Sequence, residues 1–184
     1  LCAEHRFYEI LKGEVEIQSL YTALKSFTGT YGTPAVKAIF RRGIDGVMAV
    51  SDLMAGYVRE IVGPDTPIRV AHSFIEQEFY NDLEPIEYSL DSNFVTTVAR
   101  PARYKGIDIL VEAWKTVRET HPDAELHIIG DGHPSTYESV PGVSVRGYVD
   151  DLAAAYAETG LYIQPSRIDA FPVASLEAMR AGIP

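Results

Sequence analysis

Between residues 93 and 184, short apolar runs alternate with amphipathic stretches. Phe94-Val95-Thr96-Thr97-Val98 has the length and β-branched content of a strand. Ile107, Leu110, Val111, Trp114 and Val117 then recur at helical spacing, and His121-Pro122 ends the helix they predict. Leu126 to Ile129 and Val143 to Val145 read as strands, Asp150 to Ala157 as a short helix, Leu161 to Ile163 as a strand and Val173 to Ala181 as a last helix. Strands separated by helices predict an α/β fold whose parallel sheet is covered on both faces. Ligands of such sheets sit at the carboxyl ends of the strands.

Upstream, Val47 to Val50 predicts a buried strand, Ser51 and Asp52 cap a helix over residues 53–61, and Ile68 to Ala71 gives a second strand. That βαβ turn implies parallel strands. Residues 73–92 turn acidic and aperiodic, with Glu76, Glu78, Asp82, Glu84 and Glu87, and are read as an interdomain linker. The expected organisation is therefore one Rossmann-like domain ending at residue 72, the linker, and a second such domain over 93–184. In the first 42 residues, Phe7, Ile10, Leu11, Leu20, Leu24 and Phe27 fall at helical spacing. The basic patch Lys37 to Arg42 is read either as the wet face of a helix covering a core or as a peripheral membrane contact.

Charge sharpens the division. The first 72 residues hold eight basic and eight acidic side chains, while the remainder holds eight basic and eighteen acidic ones and carries the whole net charge of −10. Such a domain repels polynucleotides, so nucleic acid is not an expected partner. The single cysteine, Cys2, excludes an internal disulfide framework and fits a reducing compartment. No apolar run approaches the roughly 20 residues needed to span a bilayer. The chain starts without Met and stops at Gly182-Ile183-Pro184, in what reads as a helix-to-strand turn, so it is expected to be a fragment.

Three clusters of chemistry fall at predicted strand ends. Arg100, Arg103 and Lys105 gather three of the acidic half's eight cations within six positions. Gly130-Asp131-Gly132 forms a tight turn, but Ser135 stands where a dinucleotide fingerprint needs its third glycine, which weakens an NAD reading. Asp169 and Glu177 are two acids with seven residues between them across a loop-to-helix junction, around Phe171, Pro172 and Val173. They read either as a capping acid and a first-turn acid, or as acceptors for hydroxyl groups. His72, His121, His127 and His133 have no metal-ligand spacing and Asp-x-Asp is missing, so no metal is expected.

Val98 to Gly106, Ile129 to Gly132, and Asp169 to Glu177 running on to Pro184 align in order with one family. Together they resemble the group 1 (family 4) glycosyltransferases of the GT-B fold, with a weaker similarity over Ile44 to Ser51, at the end of the acceptor-side domain. The resemblance implies transfer of a sugar from a nucleotide diphosphate donor to a glycan, lipid or other acceptor, with retention of configuration and no cofactor. It places Arg100 and Lys105 on the donor diphosphate, where fixed cations act mainly on the transition state. Gly130 and Gly132 line the donor cleft, although Asp131 equally suits a plain turn. Tyr148 and Val149 lie beside the nucleobase, unless Tyr148 merely covers the core. Phe171 and Val173 flank the helix start that receives the diphosphate, Asp169 takes sugar hydroxyls and Glu177 takes ribose hydroxyls.

The chain departs from that family where Glu-Gly-Phe-Gly becomes Asp169-Ala170-Phe171-Pro172, and where a common Asn-Gly becomes Ser73-Phe74. A catalytic His is expected on the acceptor-side domain, for which His5 is a poor candidate. A cytoplasmic location, with contact at the inner membrane face as an option, is implied by the family alone. The competing readings are a GT-B nucleotide-sugar epimerase and a non-catalytic nucleotide-sugar-binding module.

Overall fold

The computed structural model describes residues 38, 41–84, 86, 87 and 91–184. Cys2, His5, the helical pattern of Phe7 to Phe27 and the start of the basic patch at Lys37 lie outside the described residues. The chain forms two compact units, divided between Ser73 and Phe74.

In the first unit, β1 (Val47–Ala49) and β2 (Ile68–Val70) pair in parallel, with α1 (Asp52–Val62) between them. Ser51 caps α1, its Oγ accepting from the Met54 amide at 3.3 Å. Gly63, at φ 88°, ends the helix. The Arg59 guanidinium then donates to the carbonyls of Gly63, Pro64 and Thr66, fixing the turn into β2.

The second unit begins with α2 (Gln77–Leu83), inside the stretch read as an aperiodic linker. That reading is corrected here. Ile75, Phe79 and Leu83 recur every four residues and pack as one stripe, and Leu83 is 0% exposed. The acids between those positions mask the stripe in the sequence. Outside it, Glu84 pairs with Arg180 at 3.1 Å, and the Arg180 guanidinium lies 4.0 Å from the centre of the Tyr80 ring.

β3 (Phe94–Val98), α3 (Ile107–Thr120), β4 (Glu125–Ile129), β5 (Val143–Gly147), α4 (Leu152–Ala157), β6 (Leu161–Tyr162) and α5 (Val173–Arg180) follow. The sheet order is β5-β4-β3-β6, all parallel. Ile107, Leu110, Val111 and Trp114 bury one face of α3 against Leu126 and Ile128 of β4 and Val143 of β5. Each such aliphatic side chain contributes about 1.5–3 kcal/mol of burial. On the other face Tyr156, Ala178, Ala181 and Ile183 close around Leu83, Val98 and Tyr162.

Every strand but β3 differs from expectation by a residue or two: β1 and β2 end one residue earlier, at Ala49 and Val70, and β4 starts one residue earlier, at Glu125. β5 runs two residues further, to Gly147, because a bulge between Ile128 and Ile129 in the register lets pairing continue past Arg146. β6 is one residue shorter, although the Ile163 amide still donates to the Thr96 carbonyl at 2.9 Å. The chain winds outward from β3 through β4 to β5, then returns to the far side of β3 as β6. The order therefore reverses between β3 and β6, and a crevice opens at their carboxyl ends.

Candidate functional site

Two loops leave the sheet at that reversal. The first follows β3 from Ala99 to Gly106 and contains a short 3₁₀ turn, Arg103–Lys105. The second follows β6 from Ile163 to Pro172. Gly106, at φ 72°, lets them close together, since a Cβ there would run into the carbonyl oxygen of Pro165. Arg167 then ties the second loop to the first. Its two Nη atoms each donate to a carboxylate oxygen of Asp108 at 2.7 Å, Nη1 also reaches the Arg103 carbonyl, and its amide donates to the Tyr104 carbonyl at 2.8 Å. The guanidinium holds the Asp108 carboxyl down at about 2.

This clamp brings Lys105 and Asp169 into a 2.5 Å ion pair, with side chains only 17% and 15% exposed. Asp169 Oδ2 also faces Ser166 Oγ at 3.3 Å and Gln164 Nε2 at 3.4 Å, while Oδ1 accepts from the Phe171 amide at 3.3 Å. The Tyr162 hydroxyl donates to Gln164 Oε1 at 2.6 Å, and Gln164 Nε2 donates to Ser166 Oγ at 2.6 Å. Burial pushes the Tyr162 hydroxyl far up its scale, so it remains a donor across the site. Arg100 is exposed, and its guanidinium makes a 3.4 Å contact with the Tyr104 hydroxyl.

α5 starts at Val173, as expected, with Pro172 as its N-cap. Ser175 N already bonds back to the Pro172 carbonyl at 3.1 Å. One turn further in, Glu177 Oε2 accepts from the Tyr156 hydroxyl at 2.9 Å. Desolvation raises the Glu177 carboxyl above its ordinary value, and the tyrosine bond partly offsets that rise. Tyr156 is itself pushed far upward, first by burial and then by the Glu177 charge.

The glycine turn after β4 packs against the same first loop. Gly130 has φ 139°, and a Cβ there would meet the Ala99 carbonyl oxygen; Gly132, at φ 79°, lies beside Pro101. Buried His133 Nε2 donates to that Ala99 carbonyl at 2.8 Å. Gly130 N bonds to the Gly147 carbonyl at 2.8 Å, which places Tyr148 and Val149 at the same edge of the sheet. Tyr148 is 76% exposed, which removes the reading in which it covers the core; Val149 is half-buried.

The structure thus joins Lys105, Asp169 and the Phe171 amide directly, sets Val173 and Glu177 in the helix that follows, leaves Arg100 exposed on the loop after β3, and packs Gly130 and Gly132 against that loop. Tyr148 and Val149 stand two strands away, about 10 Å along the sheet edge. Sequence reasoning missed Tyr156, Tyr162, Gln164 and the Arg167–Asp108 clamp. Ser166 and Arg167 precede the Asp169 stretch, and nothing in the spacing announces their partners. Among the described residues no three His, Cys, Asp or Glu side chains form a metal-ligand cluster, and no helix is long and apolar enough to cross a membrane.

The parallel sheet reverses its strand order where the Lys105–Asp169 pair sits, the usual position for a ligand in an α/β fold. Residues 92–184, half of the chain, match the family model described as glycosyl transferases group 1, and the chain belongs to that family. The N-acetyl-alpha-D-glucosaminyl L-malate synthase of Bacillus anthracis is 25% identical over 91% of this chain and 50% of its own length. Among solved structures, WaaG, a glycosyltransferase involved in lipopolysaccharide biosynthesis, superposes with a TM-score of 0.67 at 17% identity, over 100% of this chain and 53% of that one. A mutant of S. aureus TarM, solved with fondaparinux, alpha-GlcNAc-glycerol and UDP, also gives 0.67 at 18% identity, over 83% of this chain and 32% of its own. These likenesses establish the GT-B type of α/β fold. The chain spans about half the length, or less, of the curated relatives it matches.

Proposed function

We propose that the Phe74–Pro184 unit is the donor-binding part of a glycosyltransferase that moves a sugar from a nucleotide diphosphate to a glycan or lipid-linked acceptor with retention of configuration. One observation carries this reading. Lys105 and Asp169 pair at 2.5 Å in the two loops at the β3/β6 reversal, and Glu177 lies in α5, the helix that the second loop enters. Arg100 and Lys105 offset the charge that builds on the departing diphosphate, and the first amides of α5 add the positive end of the helix dipole. Glu177, an acceptor with two oxygens, takes the vicinal ribose hydroxyls, and Tyr156 fixes one of those oxygens. Asp169 takes sugar hydroxyls, Phe171 and Val173 shape the turn beneath the phosphates, Gly130 and Gly132 let the cleft wall approach closely, and Tyr148 with Val149 meets the nucleobase.

Charge compensation in this scheme comes from side chains and the helix start, so it requires no metal and no cofactor. The acceptor meets the donor at Asp169 and the attacking hydroxyl gives its proton to the leaving phosphate side, as the family pattern implies. A cytoplasmic enzyme working at the inner membrane face fits that acceptor class.

The test is turnover by the full-length protein with a panel of nucleotide sugars and candidate acceptors. Acceptor-dependent release of nucleotide diphosphate, lost in Glu177→Ala, is expected, with the product anomer matching the donor by NMR. Release without acceptor, epimerised donor, or tight binding with no turnover would each replace this reading.

A further inference from the structure

The Asp169 carboxylate already faces four donors of its own protein. Lys105 Nζ, Ser166 Oγ and Gln164 Nε2 face Oδ2, and the Phe171 amide reaches Oδ1. An ionised carboxylate has about four acceptor positions. The cation expected to grip phosphate and the acid expected to grip sugar therefore neutralise each other at 2.5 Å, with both side chains mostly out of water. Neither can serve a ligand without its counter-charge being replaced, because removing one partner of a shielded pair leaves the other uncompensated.

Resting on the donor reading above, we propose that the Lys105–Asp169 pair is an exchange contact that selects the intact sugar donor over the free nucleotide diphosphate. A nucleotide sugar supplies both replacements at once: phosphate oxygens for Lys105 and hydroxyl donors for Asp169. A nucleotide diphosphate supplies only the first. It draws Lys105 away, leaves Asp169 with neutral donors only, and sets a carboxylate beside a phosphate anion. Once the sugar has been transferred, Asp169 recaptures Lys105 and the spent nucleotide is expelled. The shorter acid at this position suits the task, since Ser166, Gln164 and the Phe171 amide hold it close to the loop that carries Lys105.

Titration calorimetry on the full-length protein tests this with UDP against UDP-glucose, GDP against GDP-mannose and ADP against ADP-glucose. In Asp169→Asn, affinity for the nucleotide diphosphate is expected to rise about threefold while affinity for the nucleotide sugar falls about tenfold, or about 1.4 kcal/mol. Asp169→Glu, which keeps the charge, should retain the wild-type preference. Both affinities moving in parallel in Asp169→Asn, or neither moving, would overturn the exchange. If circular dichroism shows that Asp169→Asn does not fold, Lys105→Gln decides: without an ammonium to exchange, the two affinities should converge, and a preserved preference refutes the proposal. Folded wild-type protein that binds none of the six ligands would instead overturn the donor reading itself, and this proposal with it.

Discussion

The hydroxyl of Tyr156, which is 0% exposed, donates to Glu177 Oε2 at 2.9 Å across a separation of 21 residues, joining α4 to α5. The bond fixes which carboxylate oxygen is engaged. Tyr156→Phe keeps the ring in the core and removes only the donor. The expected result is a stability loss of about 1–2 kcal/mol and a nucleotide affinity about tenfold lower, with kcat changed far less than KM. Denaturant titration and calorimetry read the two effects separately; an unchanged affinity would sever Tyr156 from ligand binding.

Glu177 should also leave a mark on the pH dependence of stability. Its carboxyl is raised above the ordinary value of 4.5 by burial, so the folded protein keeps that proton to higher pH than the unfolded chain does. The resulting contribution to stability is full below 4.5 and is lost as pH rises through the raised folded value. In Glu177→Gln that loss disappears. Melting temperatures of wild type minus variant, measured without ligand from about pH 4 upward, should therefore fall as pH rises. A flat or rising difference would contradict the burial argument.

Gly106 and Gly182 have nearly the same backbone, φ 72° and 74°, but different surroundings. A Cβ at Gly106 strikes the Pro165 carbonyl oxygen, whereas one at Gly182 meets nothing within 4 Å. Gly182→Ala should cost about 1 kcal/mol for the left-handed conformation alone. Gly106→Ala adds a backbone collision and should cost about 3 kcal/mol or more, with donor binding lost as the two loops part. Equal costs in denaturant unfolding would show that the loops do not depend on that close approach.

Leu83 tests whether residues 77–83 behave as core or as linker. Leu83→Ala removes a side chain with no exposed surface and should cost about 2–5 kcal/mol. A cost below about 0.5 kcal/mol, as at an ordinary surface position, would restore the linker reading.

The sheet and its long helix were legible in the sequence. Phe94 to Val98 and the Ile107, Leu110, Val111, Trp114 face depend only on neighbours along the chain. α2 was hidden because Glu76, Glu78, Asp82 and Glu84 raise local polarity while three apolar residues still align on one side. The acids and bases of the site were visible as residue types, and their strand-end placement followed from the α/β pattern. Their internal pairing was not, since Lys105 meets Asp169 across 64 residues and Arg167 meets Asp108 across 59. Tyr156 gave no signal at all, because a tyrosine in a short apolar helix is ordinary core composition.

The Arg167 clamp bears on how new sugar preferences could arise in this scaffold. Altering the loop after β6 at Arg167 would release Arg103, Tyr104 and Asp108 together, so under the proposed donor reading phosphate binding would suffer along with sugar choice. Ile168, exposed to solvent, meets that network through its amide, which lies 3.4 Å from the Tyr104 carbonyl. A library built at Ile168 and Ala170 with Arg167 held constant would vary this loop while keeping the clamp that holds it, and under the proposed donor reading that is where redesign of donor choice should start.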